Sequence, residues 1–464
     1  MIPLGDSPFL QELKFTTNGI RGVANVDLTP YTCTRIGQAI GTYLKKGASV
    51  VLCTDYRTSG PMIKSALISG LLSSGVSVSD AGHVPTPALQ KFIKDSARFS
   101  MGLIITASHN PPEFNGIKVI DSDGIEIPPK KEDDIEKAYK NWKADADLPS
   151  WEKTGVFNNE SGVINHYVKN IMHNTNINKD NAHKIHVIVD PGNGVTCSYI
   201  QNLLDCLGVK YTTIFDTPDG RFPNRVSEPT PESLQVLSRK VVEEGASFGI
   251  GFDGDGDRAI FVDNNGIFHW GDESFAVILD DLLETYKNWV VTPVSSSVLV
   301  EDVVKAHGAK LEWTKVGSIT VSRRMLELDA IIAGEENGGI FYKPHQPVRD
   351  GGMALALIVG VLTRQSCEMT SLFKALPKYF LHKETIQVKQ KDKEKIISRV
   401  KDAVKGETVL TLDGVKVFKD GGSVLIRPSG TEPKFRSFAD GKTKEIAEQL
   451  SKWGIDLIKQ ASKD

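Results

Sequence analysis

Apolar and polar positions switch between two periods along this chain, and the switching predicts strands followed by helices over most of its length. Residues 49–53, 76–79 and 100–105 are short apolar runs that read as buried strands. Between them, 29–44 carries helical spacing with Pro30 at its start, 61–74 reads as a second helix, and 130–143 as a charged, solvated one. The pattern restarts after the polar stretch 173–183, with strand 184–189, the turn Asp190-Pro-Gly-Asn-Gly194, helix 195–207, strand 211–214, helix 231–244 and strand 247–251. It restarts again after Arg258, where 259–262 and 267–269 flank Asn264-Asn-Gly266, a hairpin signal. Helix, strand, helix and strand then run to 331–333. From about 370 the texture changes to a highly charged helix (389–405), three short strands (408–411, 415–418, 423–426) and a closing amphipathic helix (443–460). Strands alternating with helices imply βα units around mixed, mostly parallel sheets. The expected architecture is three related α/β domains, 1–150, 151–257 and 258–369, followed by a smaller α+β domain over 370–464.

Composition narrows the class. A chain of 464 residues exceeds what one core fills, so about three or four domains are expected. The net charge of -3 and the lack of a long basic block argue against nucleic acid as a partner. Five scattered cysteines, Cys33, Cys53, Cys197, Cys206 and Cys367, with no C-x-x-C, fit a reducing cytoplasm rather than a disulfide framework. No stretch approaches the length of a membrane span and no basic leader opens the chain, so a cytoplasmic protein is expected.

Four stretches carry chemistry. The first is Thr106-Ala-Ser-His-Asn-Pro-Pro-Glu-Phe-Asn-Gly-Ile-Lys-Val119. Proline ends the preceding strand, so a tight loop holds Ser108 where parallel α/β sheets keep their chemistry. Ser108 is the candidate nucleophile, with His109 beside it and Lys118 ten residues on; alone, the loop would read more readily as a turn in which Ser108 bonds nearby backbone. The second is Gly251-Phe-Asp-Gly-Asp-Gly-Asp-Arg258. Asp253, Asp255 and Asp257 lie two apart with glycines between, so their carboxylates converge and need a cation; oxygen-only ligands suit Mg2+. An EF-hand is excluded because Arg258 stands where its glycine belongs and Asn264 where its glutamate belongs. A dinucleotide fingerprint is excluded because a strand follows instead of a helix. The third, Gly334-Glu-Glu-Asn-Gly-Gly339, is a weaker signal for a sugar-hydroxyl acceptor loop. The fourth, Arg427-Pro-Ser-Gly-Thr-Glu-Pro-Lys-Phe-Arg436, gathers Arg427, Ser429, Gly430 and Thr431 into a donor loop suited to phosphate. Together they suit phosphoryl transfer on a phosphorylated polyol.

With these four stretches in this order, the chain resembles the α-D-phosphohexomutase superfamily, the phosphoglucomutase/phosphomannomutase group, over its whole length. T-A-S-H-N-P, D-G-D-G-D-R and R-P-S-G-T-E-P together are highly specific. The resemblance implies four domains around a central cleft, each giving one loop, the last like the TATA-binding protein. It implies that Ser108 is phosphorylated in the resting enzyme and that Asp253, Asp255 and Asp257 hold Mg2+ with that phosphate. Arg258 lies beside it, Lys118 assists proton movement, Glu335 and Asn337 meet the sugar, and Arg427, Ser429, Gly430, Thr431 and the Arg436 end of the loop grip the phosphate that is not reacting. Arg21 matches the arginine of the N-terminal element. Two departures stand out. Thr16-Thr17-Asn18 differs from the usual F-G-T-[DS]-G, and Asn337 and Gly339 replace the serine and histidine of many bacterial sugar loops. A G-E-E-N-G-G loop resembles archaeal members, and the proton-transfer role proposed for that histidine must be vacant, moved or given to water.

The expected activity is interconversion of hexose 1- and 6-phosphates, of glucose, mannose or glucosamine, through a 1,6-bisphosphate, by a monomer or homodimer. A dedicated phosphoglucosamine mutase and a phosphosugar phosphatase are the alternatives. A non-catalytic phosphosugar binder is disfavoured by the intact Ser108 and three aspartates. If Glu335 bonds the hydroxyls at C3 and C4, sugars differing at C2 are all accepted and galactose phosphate is poor.

Overall fold

Local rules set the first elements. Pro30 opens the helix Pro30–Leu44, where its missing N–H has no partner to lose, and the Thr29 side chain accepts from Thr32 N. This helix lies so close to Gly60–Ser73 that a Cβ on Gly37 would sit 2.4 Å from Leu67 O, and one on Gly70 2.1 Å from Thr34 O. The computed structural model describes residues 14–15, 19–143, 148–429 and 433–463. They fall into two compact units, Met1–Phe268 with Val348–Ser366, and His269–Pro347 with Cys367–Asp464.

The first unit holds two mixed sheets. Strands β1 (Ile20–Val23), β2 (Ser49–Thr54), β3 (Ser77–His83), β4 (Met101–Ile105), β5 (Phe114–Asp121) and β6 (Phe157–Asn159) run in the order β1-β5-β4-β2-β3-β6. β2 is parallel to β3 and β4, while β5 is antiparallel to β4 and β1. The stretch 106–119 is therefore not all loop: its second half is β5, and Lys118 stands on that strand opposite Ile104. Asn115, Gly116 and Lys118 masked the strand, because its polar side chains are buried and not solvent-facing.

Strands β7 (His186–Asp190), β8 (Lys210–Thr213), β9 (Phe248–Phe252), β10 (Ala259–Asp263) and β11 (Phe268–His269) form the second sheet, ordered β11-β10-β9-β7-β8. β9 and β10 pair antiparallel from Phe252↔Ala259, so the acidic motif is the tight connection between two wholly buried strands. The expected helix 195–207 is broken at Tyr199 into a 3-10 turn, Val195–Ser198, and a helix, Ile200–Leu207. Helix Gly351–Gln365 also belongs to this unit; Asp350 caps it by accepting from Met353 N at 2.8 Å, and Tyr167 OH donates to the same carboxylate oxygen.

The other two sheets belong to the second unit, except for Val348 and Arg349 at the end of strand Gln346–Arg349, which count with the first unit. One orders β12 (Trp289–Pro293), β13 (Lys310–Thr314), β14 (Ile332–Gly334), β15 (Ile340–Tyr342) and β16 (Gln346–Arg349) as β13-β12-β14-β15-β16. The other is wholly antiparallel, β17-β21-β20-β19-β18, from β17 (Phe380–Gln387), β18 (Thr408–Leu410), β19 (Val415–Lys419), β20 (Gly422–Pro428) and β21 (Lys434–Gly441). Helices Lys393–Ala403 and Lys444–Ala461 cover it over a core that includes Ile396, Val400, Ile426, Phe435 and Ile458. β17 and β21 were not expected. Each has polar or charged residues on its solvated face, and β21 supplies half of what read as a loop: Arg436 is on that strand, directly across from Arg427 on β20.

Candidate active site

The site in the first unit is built around Ser108, which follows β4. Ser108 has φ 50°, the left-handed region that a non-glycine residue enters only when its surroundings hold it there. The residue that holds it is Arg57. Its Nη2 donates to Ser108 O at 2.8 Å and Asn110 O at 2.7 Å, and its Nη1 to Pro111 O at 2.6 Å and Phe114 O at 2.9 Å. Asp55 in turn accepts from Arg57 Nε at 3.1 Å and from Arg57 N at 3.0 Å, and its bond from Thr106 Oγ1 at 2.6 Å fixes the hydroxyl that accepts from Ser108 N at 2.9 Å. The sequence had shown Asp55-Tyr-Arg-Thr-Ser-Gly60 only as a loop; nothing local marks Arg57 as the clamp of a segment fifty residues away.

The acidic turn meets Ser108 face to face. Ser108 Oγ donates to Asp253 Oδ2 at 2.8 Å, and Arg258 N donates to Asp253 Oδ1 at 3.1 Å. Asp255 Oδ2 accepts from Thr86 Oγ1 and from Lys118 Nζ, both at 2.6 Å. Asp257 Oδ2 accepts from Lys118 Nζ at 3.1 Å and from Arg349 Nη2 at 2.7 Å. The charge on the triad is thus shared with Lys118 and Arg349, not with Arg258 alone. Among the described residues no hydrogen-bond donor reaches the two remaining oxygens, the buried Asp255 Oδ1 and Asp257 Oδ1, although Arg258 Nε lies 3.9 Å from the latter. One ligand oxygen from each aspartate lies within 4.8 Å of the others. Buried carboxylate oxygens that converge in this way without hydrogen-bond donors fit a hard divalent cation.

Electrostatics assigns states to the groups around the serine. Burial and the charges of Asp255 and Asp257 push Asp253 well above the ordinary carboxylate range. Burial would also raise Asp255, but Lys118 overrides it and holds that carboxyl below the usual range. Burial opposes the Lys118 ammonium, yet Asp255 and Asp257 outweigh it and raise its pKa. Lys118 is therefore an ammonium paired with two carboxylates of the triad. His109 Nδ1 lies 3.3 Å from Ser108 Oγ. Burial first, then the guanidiniums of Arg258, Arg21 and Arg349, lower its pKa to about 2, so it is neutral. Arg21 also reaches the serine loop, Nη1 donating to Asn110 Oδ1 at 2.8 Å. Three guanidiniums turned toward one loop prepare it for a dianion.

The residues expected to meet sugar and spectator phosphate lie in the second unit. Glu335 is buried, whereas Glu336 beside it is half-buried and accepts from Ser295 Oγ at 2.7 Å. Asn337 Oδ1 accepts from Gly339 N at 3.2 Å, so this side chain shapes its own loop. Arg427 pairs with Asp413 at 2.9 Å, which the donor-only reading of its loop did not include. Ser429 is buried, its N–H donating to Lys434 O at 2.9 Å. Gly430 and Thr431 lie outside the described residues, as do Thr16, Thr17 and Asn18. Sequence reasoning missed Arg57, Thr86 and Arg349, and also Glu228, whose two carboxylate oxygens accept from Arg258 Nη1 at 2.8 and 3.0 Å. Each is remote in the chain from the loop it serves, and none stands in a motif.

Comparison with known proteins gives the same order of parts. Four family models, phosphoglucomutase/phosphomannomutase alpha/beta/alpha domains I, II and III and C-terminal domain, match residues 12–146, 165–266, 270–380 and 386–452. A phosphoglucomutase/phosphomannomutase of Thermococcus kodakarensis is 38% identical over 456 residues, 97% of this chain and 99% of that protein. The chain belongs to the phosphoglucomutase/phosphomannomutase family. A phosphoglucosamine/phosphogalactosamine mutase of Sulfurisphaera tokodaii is 37% identical over 94% of this chain and 97% of its own length. Among solved structures, a phosphoglucomutase/phosphomannomutase family protein of Burkholderia thailandensis superposes with TM-score 0.86 at 26% identity, covering 97% of this chain and 98% of that one. The chain is thus a phosphosugar mutase, an isomerase that moves a phosphoryl group, and the four-part α/β architecture expected from the sequence is the family's. Among the described residues no helix is long and apolar enough to cross a membrane.

Proposed function

We propose that this enzyme interconverts hexose 1- and 6-phosphates, of glucose and mannose and also of glucosamine, through phosphoserine 108 and a 1,6-bisphosphate. The observation that carries the reading is the pair of buried oxygens on Asp255 and Asp257 that no hydrogen-bond donor among the described residues reaches, beside a serine hydrogen-bonded to Asp253. Asp253, Asp255 and Asp257, with an oxygen on Ser108, would hold Mg2+. That ion would offset charge on the transferring phosphoryl group. Arg21, Arg258 and His109 face the same phosphoryl group. Glu335, Asn337, Arg427, Ser429, Gly430, Thr431 and Arg436 hold the sugar ring and the phosphate that is not reacting. The bisphosphate turns over so that each end is presented to Ser108 once. We further propose a cytoplasmic monomer or homodimer of four domains, with one functional loop in each.

The sugar is open between two readings. The names of the Thermococcus and Sulfurisphaera relatives span hexoses and hexosamines, which supports tolerance at C2. The second name also includes a galacto sugar, which speaks against strict reading of C4 by Glu335. The test is kcat/KM for glucose, mannose, glucosamine and galactose 1-phosphates, with product followed as 6-phosphate and as free phosphate. Isomer without net release of phosphate is the expected result; free phosphate equal to substrate consumed would make it a phosphatase. Strict choice at C2, or efficient use of the galactose compound, would remove Glu335 as the specificity reader.

A further inference from the structure

Thr86 stands between two prolines, Pro85 and Pro87, and opens the helix Thr86–Ser96 that follows β3. The prolines restrict the backbone around it, and its branched side chain has little freedom at χ1. Thr86 is buried, and both its N–H and its hydroxyl go to a residue 169 positions away. The N–H donates to Asp255 O at 3.0 Å and Oγ1 to Asp255 Oδ2 at 2.6 Å. An N–H in the first turn of a helix has no partner within the helix, so the first of these bonds satisfies it from outside. The acidic turn is also pressed against this segment at Gly256, where a Cβ would lie 3.3 Å from Pro85 Cβ and 2.8 Å from Thr196 Oγ1. Asp255 is thereby held by its backbone and by one carboxylate oxygen, and its Oδ1 is the oxygen that no donor among the described residues reaches. Lys118 and Arg349 also hold Oδ2 atoms of the triad, but they bring charge as well as direction. The Thr86 hydroxyl brings direction alone.

We propose that Thr86 is a positioning residue for the metal site: its hydroxyl engages Asp255 Oδ2 and so leaves Oδ1 aimed for a cation before the ion arrives. This deepens the Mg2+ reading of the triad and rests on it. A ligand whose rotamer is already fixed has less freedom to lose when it binds an ion, and the outer partners of ligating carboxylates set metal affinity in this way. Thr86 follows a strand of the sheet that also carries Ser108, whereas Asp255 lies in the connection between β9 and β10 of the second sheet. The bond from Ser108 Oγ to Asp253 joins the same two sheets. Once Oγ carries a phosphoryl group, however, it has no proton left to donate. The Thr86 bond involves no reacting atom, so it holds the acidic turn in both states of the serine.

The test is calorimetric titration of Mg2+ into the full-length enzyme, phosphorylated beforehand with glucose 1,6-bisphosphate and then stripped of metal with a chelator. Thr86→Val keeps the branched shape and the net charge but deletes the donor. Its Mg2+ Kd is expected to be roughly 10–100-fold weaker than that of the wild type, with kcat regained once Mg2+ is saturating. Thr86→Ala removes the hydroxyl without setting a methyl against Asp255 and should show the same loss. Thr86→Ser keeps the hydroxyl and should bind Mg2+ nearly as tightly as the wild type. Wild-type affinity in the valine and alanine variants, a serine variant as weak as the valine one, or a fall in kcat that saturating Mg2+ does not restore would overturn the assignment of Thr86 while leaving the Mg2+ reading in place. A wild type that takes up no Mg2+, giving the same trace as Asp255→Asn, would overturn both.

Discussion

Ser108 is held in a left-handed conformation that costs a non-glycine residue about 1–2 kcal/mol, and the cost is offset by Arg57, Thr106 and Asp253 gripping its backbone and hydroxyl. The chemistry is thus concentrated in one oxygen while the fold around it does not depend on that oxygen. Ser108→Ala should change stability by no more than about 1 kcal/mol, the worth of one hydrogen bond. It should lower turnover by roughly three orders of magnitude or more, since the phosphoryl carrier is gone. Intact mass before and after incubation with glucose 1,6-bisphosphate should show phosphorylation of the wild type and none of the variant. Near wild-type isomerisation by the purified variant would end the phosphoserine mechanism. Asp255 offers a separate lever. Its Oδ2 is engaged by Thr86 and Lys118, and its Oδ1 is the oxygen left for a cation. Asp255→Asn should raise the Mg2+ concentration for half-maximal activity at least about tenfold. If the wild type stays fully active after exhaustive chelation, the triad is not a metal site.

At the scale of elements, two turns from different sheets have to touch, and Gly254 is where they do. A Cβ there would sit 2.4 Å from Ser108 O, the carbonyl that Arg57 already holds. Because the obstacle is backbone fixed from behind, Gly254→Ala should cost about 1–3 kcal/mol and weaken both turnover and Mg2+ dependence. Gly406, whose Cβ would meet nothing within 4 Å, is the control, with Gly406→Ala expected within about 0.5 kcal/mol of wild type. Thermal unfolding of both settles the comparison; equal Tm values would mean the approach of the two turns carries no energetic weight. The same contact shows what was legible in the chain. Glycine between alternate aspartates could be read as a curled carboxylate turn, and proline after Ser108 as the end of a strand, because both effects act within a few residues. Thr29 and Pro30, and Thr443 ahead of Lys444–Ala461, marked helix starts for the same reason. Arg57 and Arg349 could not be read. Each acts across 50 residues or more, and an arginine in a loop looks the same whether it faces water or four backbone carbonyls. β5 and β21 failed differently: their polar side chains are used by the site or by solvent, so no apolar alternation announced a strand.

At the scale of the whole molecule, each unit has its own hydrophobic cores, so two influences should act on them separately. The aspartate triad lies in the first unit. Mg2+ should therefore stabilise that unit by about 2.7 kcal/mol when present at a hundred times its dissociation constant. Asp272 lies in the second unit, buried, with Oδ2 accepting from Ser297 N at 2.9 Å. Burial first, and then the charge of Glu336, push its carboxyl up from 3.8 to about 7. An unfolded chain releases that proton near pH 4, while the folded unit keeps it until about pH 7. Over that window the folded state binds more protons, so the contribution of Asp272 to stability is greatest below pH 4 and falls as pH rises toward 7, levelling off above it. At about 1.4 kcal/mol per decade of pH the loss is at most about 4 kcal/mol. Asp272→Asn keeps an acceptor for Ser297 N and has nothing to ionise, so it should flatten the dependence and stabilise the second unit at pH 8 more than at pH 5. Calorimetry of wild type and variant at both pH values, with and without Mg2+, reads the two effects together. Asp272→Asn should move one transition with pH and Mg2+ the other. Mg2+ shifting both alike, or a variant with the wild-type pH dependence, would show that the units do not respond independently or that Asp272 is ionised in the folded state.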